Sequence, residues 1–170
     1  MAKYISLSRY SYVLLQEVFN GFQTPMIESL LAHEFYREGR VLPMRKPRTP
    51  GEDVDDDKIK GAVVFDPETG LHNDIIVLDY KSLYPTIMIA NNLCFSTIIT
   101  MESPGEENIK TPAPEVADRF VDQSVKVGII PRILTDLLNK RMELKKELKT
   151  EKNPRTRMLL DAQQYSVKIL

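Results

Sequence analysis

Residues 60–88 read KGAVVFDPETGLHNDIIVLDYKSLYPTIM, and the pattern of this stretch decides the fold class. KGAVVF (60–65) predicts a short strand, FDPETGLHND (65–74) a turn, and IIVLD (75–79) a second strand. The unbroken apolar run Ile75, Ile76, Val77 and Leu78 suits a strand covered on both faces. SLYPTIMIANNL (82–93) then predicts a helix, with Asn91 and Asn92 near its end. Strands followed by helices predict an α/β chain. Asp79 falls at the carboxyl end of the second strand, the edge where open α/β sheets bind ligands. A carboxylate there, followed by the free N–H groups of a helix start, can hold a divalent cation and the phosphates it bridges. By its local chemistry alone Asp79 reads first as a helix cap, since Asp is a favoured capping residue.

Upstream, residues 24–38 predict a helix. Thr24 serves as its cap, Pro25 as its first residue, Gly39 as its stop, and Ile27, Leu30, Leu31 and Phe35 as its apolar stripe. LPMRKPRTPGEDVDDDK (42–58) reads as a polar, proline-rich linker. Its acidic run is not a calcium loop. An EF-hand starting at Asp53 needs glycine and glutamate where Lys58 and Val64 stand.

Downstream, residues 100–116 hold three prolines and a glycine and read as a loop. A helical hairpin fills the remainder. One helix runs from Pro131 to about residue 149, carrying Leu134, Leu137, Leu138, Leu144 and Leu148 on or near one face. KNP (152–154) makes the turn, and a second helix runs from about residue 155 to the end. Arg141 and Lys145 share a face of the first helix, and Lys149 continues the stripe. There are no internal repeats.

The 170 residues carry 23 Lys+Arg against 24 Asp+Glu and are 42% hydrophobic and 28% charged. This composition excludes a disordered tail, a collagen-like repeat and a disulfide scaffold. A single cysteine, Cys94, fits a reducing compartment. No apolar run is long enough to span a bilayer, and the start MAKYISLSRYSYVLL lacks the small-residue cleavage end of a signal peptide. The expectation is a soluble cytoplasmic chain without a membrane partner. Charge is unevenly placed: residues 131–170 hold 10 Lys/Arg against 5 Asp/Glu, leaving 13 against 19 in the first 130. A basic C-terminal segment suits a polyanionic partner as well as a solvated helix pair.

Residues 79–85, Asp-Tyr-Lys-Ser-Leu-Tyr-Pro, resemble the first palm motif of family-B DNA polymerases, D-x-x-S-L-Y-P. Residues 60–88 resemble that family's segment from its Gly-Gly/Ala loop into the motif. PRILTDLLNKRMELKKELKTEKNPRTRMLLDAQQYSVKIL (131–170) resembles its fingers hairpin, and GFQTPMIESLLAHEFYREGRVLP (21–43) the join between exonuclease domain and palm. The likeness covers nearly the whole chain, weakest at 100–125, and is nearest the archaeal or delta-like branch.

The resemblance implies three parts: a connecting helical segment at 1–50, the N-terminal part of an α+β palm at 51–120, and an antiparallel two-helix fingers hairpin at 121–170. It implies that Asp79 is one of two aspartates holding a pair of Mg2+ ions, with the Tyr80 carbonyl on the metal bound with the nucleotide. Backbone N–H groups around Ser82, Leu83 and Tyr84 receive triphosphate oxygens, and the Tyr84 ring is a steric gate against the 2′-hydroxyl. Arg141, Lys145 and Lys168 line the triphosphate path, with Lys168 also the proton donor to departing pyrophosphate. Gln164 matches the family as a supporting residue. Gly61 and Ala62 match the loop that contacts single-stranded template, although Ile59 stands where the family usually has tyrosine.

The function implied is a portion of a template-directed DNA polymerase that adds deoxynucleotides to a primer 3′ end by two-metal nucleotidyl transfer. Its expected partners are primer-template DNA, a deoxynucleoside triphosphate, the remaining polymerase portion or a companion subunit, and a sliding clamp. The family's later Tyr-Gly-Asp-Thr-Asp-Ser motif, which carries the second aspartate, does not occur in this sequence. The expectation is therefore a chain inactive alone: a split subunit, a piece before an intein, or a fragment. The alternative is a non-catalytic nucleic-acid-binding or scaffold protein derived from a polymerase, its basic hairpin binding DNA with a marked salt dependence.

Overall fold

The computed structural model describes residues 1–21, 23–42, 62–99, 109–110 and 119–170. They fall in two units, Met1–Pro43 with Ser82–Leu170, and Met44–Lys81.

In the larger unit, three helices open the chain: α1 (Ala2–Ser11), α2 (Leu15–Phe19) and α3 (Gln23–Arg37). Gly39, at φ 66°, closes α3. Its N–H donates to Tyr36 C=O, and the next N–H, of Arg40, reaches back to Phe35 C=O. This pair of bonds satisfies the last carbonyls of the helix and needs a left-handed residue, which glycine supplies without a steric penalty. The helix starts one residue earlier than the sequence suggests. Thr24 is therefore inside the first turn rather than capping it, and Pro25 sits where its missing N–H costs nothing. The buried face is Met26, Leu30 and Phe35, with Ile27 at its exposed edge.

Helix α4 (Leu83–Ala90) follows the second unit. A small antiparallel sheet comes next, with β3 (Arg119–Val121) between β1 (Ile98–Ile99) and β2 (Ile109–Lys110). Ile98 pairs with Phe120 and Ile109 with Val121. Strand β2 thus lies within the stretch read as a loop; the remainder of that loop, residues 100–108 and 111–116, is outside the described residues.

Helices α5 (Ile129–Thr150) and α6 (Pro154–Ile169) form the expected hairpin. Asn153 caps α6, its side-chain oxygen accepting from the N–H groups of Arg155 and Thr156, with Pro154 at the first helical position. On α5 the inward stripe is Ile133, Leu137, Arg141, Leu144 and Leu148, the 3.6-residue spacing of one helix face. Small Ala162 and Ser166 on α6 let α1 approach, and Ser166 Oγ donates to Lys3 C=O at 3.2 Å.

Two apolar clusters hold this unit together. Leu30, Phe35, Cys94, Ile129, Ile130 and Ile133 join α3, the segment after α4 and α5. Leu7, Val18 and Met26 join the first three helices, with Ile169 and Leu170 packed against them. Among the described residues this unit is mostly helical with a small antiparallel sheet, so the expected helical hairpin is present while the sheet is smaller than an α/β chain would carry.

The smaller unit carries the main disagreement. Residues 62–81 form neither helix nor paired strand, although KGAVVF and IIVLD were expected to be strands. Ile75, Ile76, Val77 and Leu78 are 65–90% exposed instead of covered on both faces. A strand exists only through ladder bonds to a neighbour, and no described residue offers these segments that edge. The expected turn between them is present, with Gly70 at φ 140°, Asp74 at φ 58° and the His72 ring against Glu68 C=O. The linker read at 42–58 lies, after Leu42, outside the described residues. No described helix is long and apolar enough to cross a membrane.

Candidate functional site

The start of α4, the middle of α5 and the end of α6 border an open cavity of about 140 Å³. Its walls include Ser82 and Pro85 from α4, Leu134, Leu137 and Arg141 from α5, and Lys168 from α6. Three residues singled out in the sequence, Ser82, Arg141 and Lys168, are therefore brought together although they are far apart in the chain. The volume is below the ~300–1,000 Å³ of pockets that enclose a whole small molecule, so the cavity suits one charged group of a larger ligand.

Each wall has a local cause. Ser82 adopts the left-handed conformation (φ 55°, ψ 57°) and opens α4 without a side-chain cap. The N–H groups of Leu83 and Tyr84 are thus first-turn donors with no intrahelical acceptor, and Pro85 has no N–H to offer. Such a helix start favours negative charge. Arg141 lies on the inward stripe of α5, unlike Lys145 and Lys149, which are exposed. The basic stripe read from sequence therefore divides: Arg141 faces the cavity and the two lysines face solvent. Arg141 Nε is buried and has no hydrogen-bond partner. Lys168 is exposed at the cavity's other wall.

No acidic side chain lines the cavity. Arg37, Arg132 and Lys140 are among the described cations that form ion pairs, and Arg141, Lys145 and Lys168 form none with described residues. Two cations around apolar walls with a buried N–H donor unsatisfied make an anion-binding arrangement. The unmet donor carries a desolvation cost that an anionic acceptor would remove.

The other predicted residues stand elsewhere. Leu83, Tyr84 and Lys145 lie outside the cavity walls, and Tyr84 is 78% exposed, so it is not a core aromatic. Gln164 Nε2 donates to Asp161 Oδ1 at 3.2 Å. Asp79, Tyr80 and Ala62 are exposed in the smaller unit, and Gly61 is outside the described residues. The described residues contain no group of three or more His, Cys, Asp or Glu able to hold a metal. Asp79 alone does not make a two-metal site.

Sequence reasoning missed the junction that joins α4 to α5. Asn92 is fully buried at φ 53°. Its Nδ2 donates to Val121 C=O (2.6 Å) and Lys126 C=O (2.8 Å), and its Oδ1 accepts from Gly128 N–H (2.8 Å). The available signal was an asparagine just past a helix end, a residue that tolerates the left-handed region.

Comparison with known proteins follows the same lines. The family model for DNA polymerase family B matches residues 13–170. The DNA polymerase delta catalytic subunit of Dictyostelium discoideum is 35% identical over 174 residues, covering 99% of this chain and 15% of that subunit. The DNA polymerase alpha catalytic subunit of Saccharomyces cerevisiae is 34% identical, covering 90% of this chain and 11% of its own length. The structure of the family B DNA polymerase from the hyperthermophilic archaeon Pyrobaculum calidifontis superposes with a TM-score of 0.73 at 33% identity. That match covers 99% of this chain and 21% of the archaeal one. The chain thus spans about a fifth or less of the length of these relatives.

Proposed function

This chain belongs to DNA polymerase family B, and we propose that it supplies the triphosphate-binding cradle of a template-directed DNA polymerase. The observation that carries the reading is the buried, unpartnered Arg141 Nε in a cavity shared with Lys168 and the open start of α4. Arg141 donates charge-assisted hydrogen bonds to phosphate oxygens, and Lys168 adds a point charge on the opposite wall. Backbone N–H groups at Ser82, Leu83 and Tyr84 receive further oxygens, and exposed Lys145 attracts the triphosphate from outside. As the primer 3′-hydroxyl gives its proton to solvent and its oxygen bonds to the α-phosphorus, the bond from that phosphorus to the oxygen bridging to the β-phosphate breaks, and negative charge grows on pyrophosphate. Fixed cations stabilise that charge, and Lys168 Nζ gives it a proton.

The remaining assignments complete this reading. Tyr84 lies under the incoming sugar and excludes a 2′-hydroxyl, and Gly61 and Ala62 approach the template backbone. Residues 1–50 form the connecting segment, 51–120 the first part of the palm and 121–170 the fingers. The exposed run 75–78 becomes a sheet strand when the remaining palm pairs with it. Asp79 and the Tyr80 carbonyl are the chain's contribution to Mg2+ binding. A second carboxylate comes from the remaining polymerase portion, so this chain binds nucleotide but does not incorporate it alone. DNA and a sliding clamp are partners of the assembled enzyme.

The test is titration of the chain with a deoxynucleoside triphosphate and with the matching deoxynucleoside. The triphosphate binds, the nucleoside does not, and Arg141→Ala and Lys168→Ala each weaken the triphosphate. Unchanged affinity in both variants would sink the cradle. Salt-sensitive DNA binding without any nucleotide binding would support the non-catalytic alternative.

A further inference from the structure

We propose that Asn92 is a positioning residue for the triphosphate cradle. It locks the end of α4 to the start of α5 and thereby sets the distance between Ser82 and Arg141. The proposal rests on the reading of that cavity given above.

The two helices that carry Ser82 and Arg141 meet near Asn92. Ser82 begins α4, and Asn92 lies two residues past its last residue, Ala90. Gly128, which donates its N–H to Asn92 Oδ1, is the cap residue of α5. One planar carboxamide therefore holds the main chain at three points of the segment entering α5: Val121, Lys126 and Gly128. Asn92 is itself fixed, since its carbonyl accepts from Thr97 Oγ1 at 2.6 Å.

Only an amide fits this place. The site needs two N–H donors for two carbonyls and one acceptor for an N–H, all on one short group. Aspartate keeps the acceptor but turns a carboxylate oxygen against the two carbonyls. Alanine removes the side-chain partner of all three main-chain groups, two of which, at Val121 and Gly128, are in buried bonds.

Other contacts at the junction do not set the angle equally well. Cys94, Ile129, Ile130 and Ile133 cluster there with Met88, and apolar contact is non-directional. The further bonds to the start of α5, Ile129 N–H to Ser96 Oγ and Ile130 N–H to the weak acceptor Cys94 Sγ, are both 3.4 Å long. Gln123 Nε2 donates to Ile89 C=O, a single further tie to α4. The packing at Gly128 is tight: an added Cβ would lie 2.7 Å from Cys94 Cβ and 3.0 Å from Asn92 Oδ1. The close approach and the carboxamide bonds therefore act on the same point.

That point is the base of a lever. Along α5, Gly128 and Arg141 are separated by roughly 20 Å of continuous helix, so a tilt of about 5° at the base moves Arg141 by about 2 Å. Misplacement by about 1 Å can cost a reaction ~100-fold.

The experiment has two arms on the full chain. In the first, spin labels at Ile87→Cys on α4 and Met142→Cys on α5, both partly exposed positions, report the separation of the helices. Asn92→Asp should shift or broaden that distance by ~2 Å, as expected for a tilted lever, with helical content unchanged. An unchanged distance overturns the proposal.

In the second arm, a deoxynucleoside triphosphate is titrated against Asn92→Asp, Arg141→Ala and the double variant. Asn92→Asp should weaken binding about tenfold, and should weaken it no further once Arg141 is gone. Additive losses would mean that Asn92 only stabilises the fold, and would overturn the proposal. If the unsubstituted chain binds no triphosphate, the cavity reading fails first and this role falls with it. An unchanged label distance removes the role of Asn92 alone. Should Asn92→Asp not fold, Asn92→Gln keeps the donors and acceptor on a side chain one methylene longer and carries both arms.

Discussion

Replacing Arg141 with methionine should make the protein more stable and the site weaker at once. The guanidinium occupies an inward position of α5 with Nε buried and without an acceptor. Leaving a buried donor unsatisfied costs about 1–3 kcal/mol, and an unbranched apolar side chain removes that cost while still filling the space. Because the residue is only half-buried, about half of that cost applies, roughly 0.5–1.5 kcal/mol. For a chain of this size that corresponds to a rise in melting temperature of roughly 1–6 °C. The same change removes charge-assisted hydrogen bonds to phosphate, worth about 1.5–3 kcal/mol, or roughly 10- to 150-fold in triphosphate affinity. Thermal melting and nucleotide titration on one preparation measure both. A variant that melts lower and binds the triphosphate as before would refute the reasoning, because Arg141 would then be a structural residue.

Three further outcomes follow from the same geometry. Tyr84→Ala, in the polymerase reconstituted with its remaining portion, should raise ribonucleotide incorporation relative to deoxyribonucleotide, measured by primer extension. The chain's own stability should change little, since the ring is exposed. Asp79→Ala should abolish synthesis in the reconstituted enzyme and leave the stability of this chain within about 0.5 kcal/mol of unchanged, as expected for an exposed side chain. Retained synthesis would remove Asp79 from the site. Gly128→Ala should destabilise by about 1–3 kcal/mol in denaturant unfolding, the usual cost of forcing an extra methyl into a packed site. A neutral result there would show that Cys94 and Pro131 move aside freely.

Helices α3 to α6 were legible because their signals are local, whereas α1 and α2 were covered only by the connecting segment that the family resemblance implied. Gly39 closed α3, Asn153 and Pro154 opened α6, and the leucine spacing placed α5, each within a few residues of its effect. Arg141 was also legible in principle, since it falls between Leu137 and Leu144 at the helical period; reading it with Lys145 and Lys149 as one basic stripe obscured its burial. The reading of strands at 60–65 and 75–79 did not hold at residues 62–65 and 75–79, because a strand is defined by its neighbour and the described residues supply no partner edge there. The Asn92 junction was invisible for a related reason. Its hydrogen bonds join residues 29 to 36 positions apart, and no short-range pattern marks such contacts. Ser82, Arg141 and Lys168 were named through family resemblance; only the fold places them around one cavity.

Hydrogen exchange of the chain with and without a deoxynucleoside triphosphate tests the central claim most directly. If Ser82, Arg141 and Lys168 form one cradle, nucleotide should slow exchange together at the start of α4, in the middle of α5 and at the end of α6. The exposed hairpin turn around Lys152 should be unaffected. Protection confined to that turn, or absent from all three segments at saturating nucleotide, would contradict the claim.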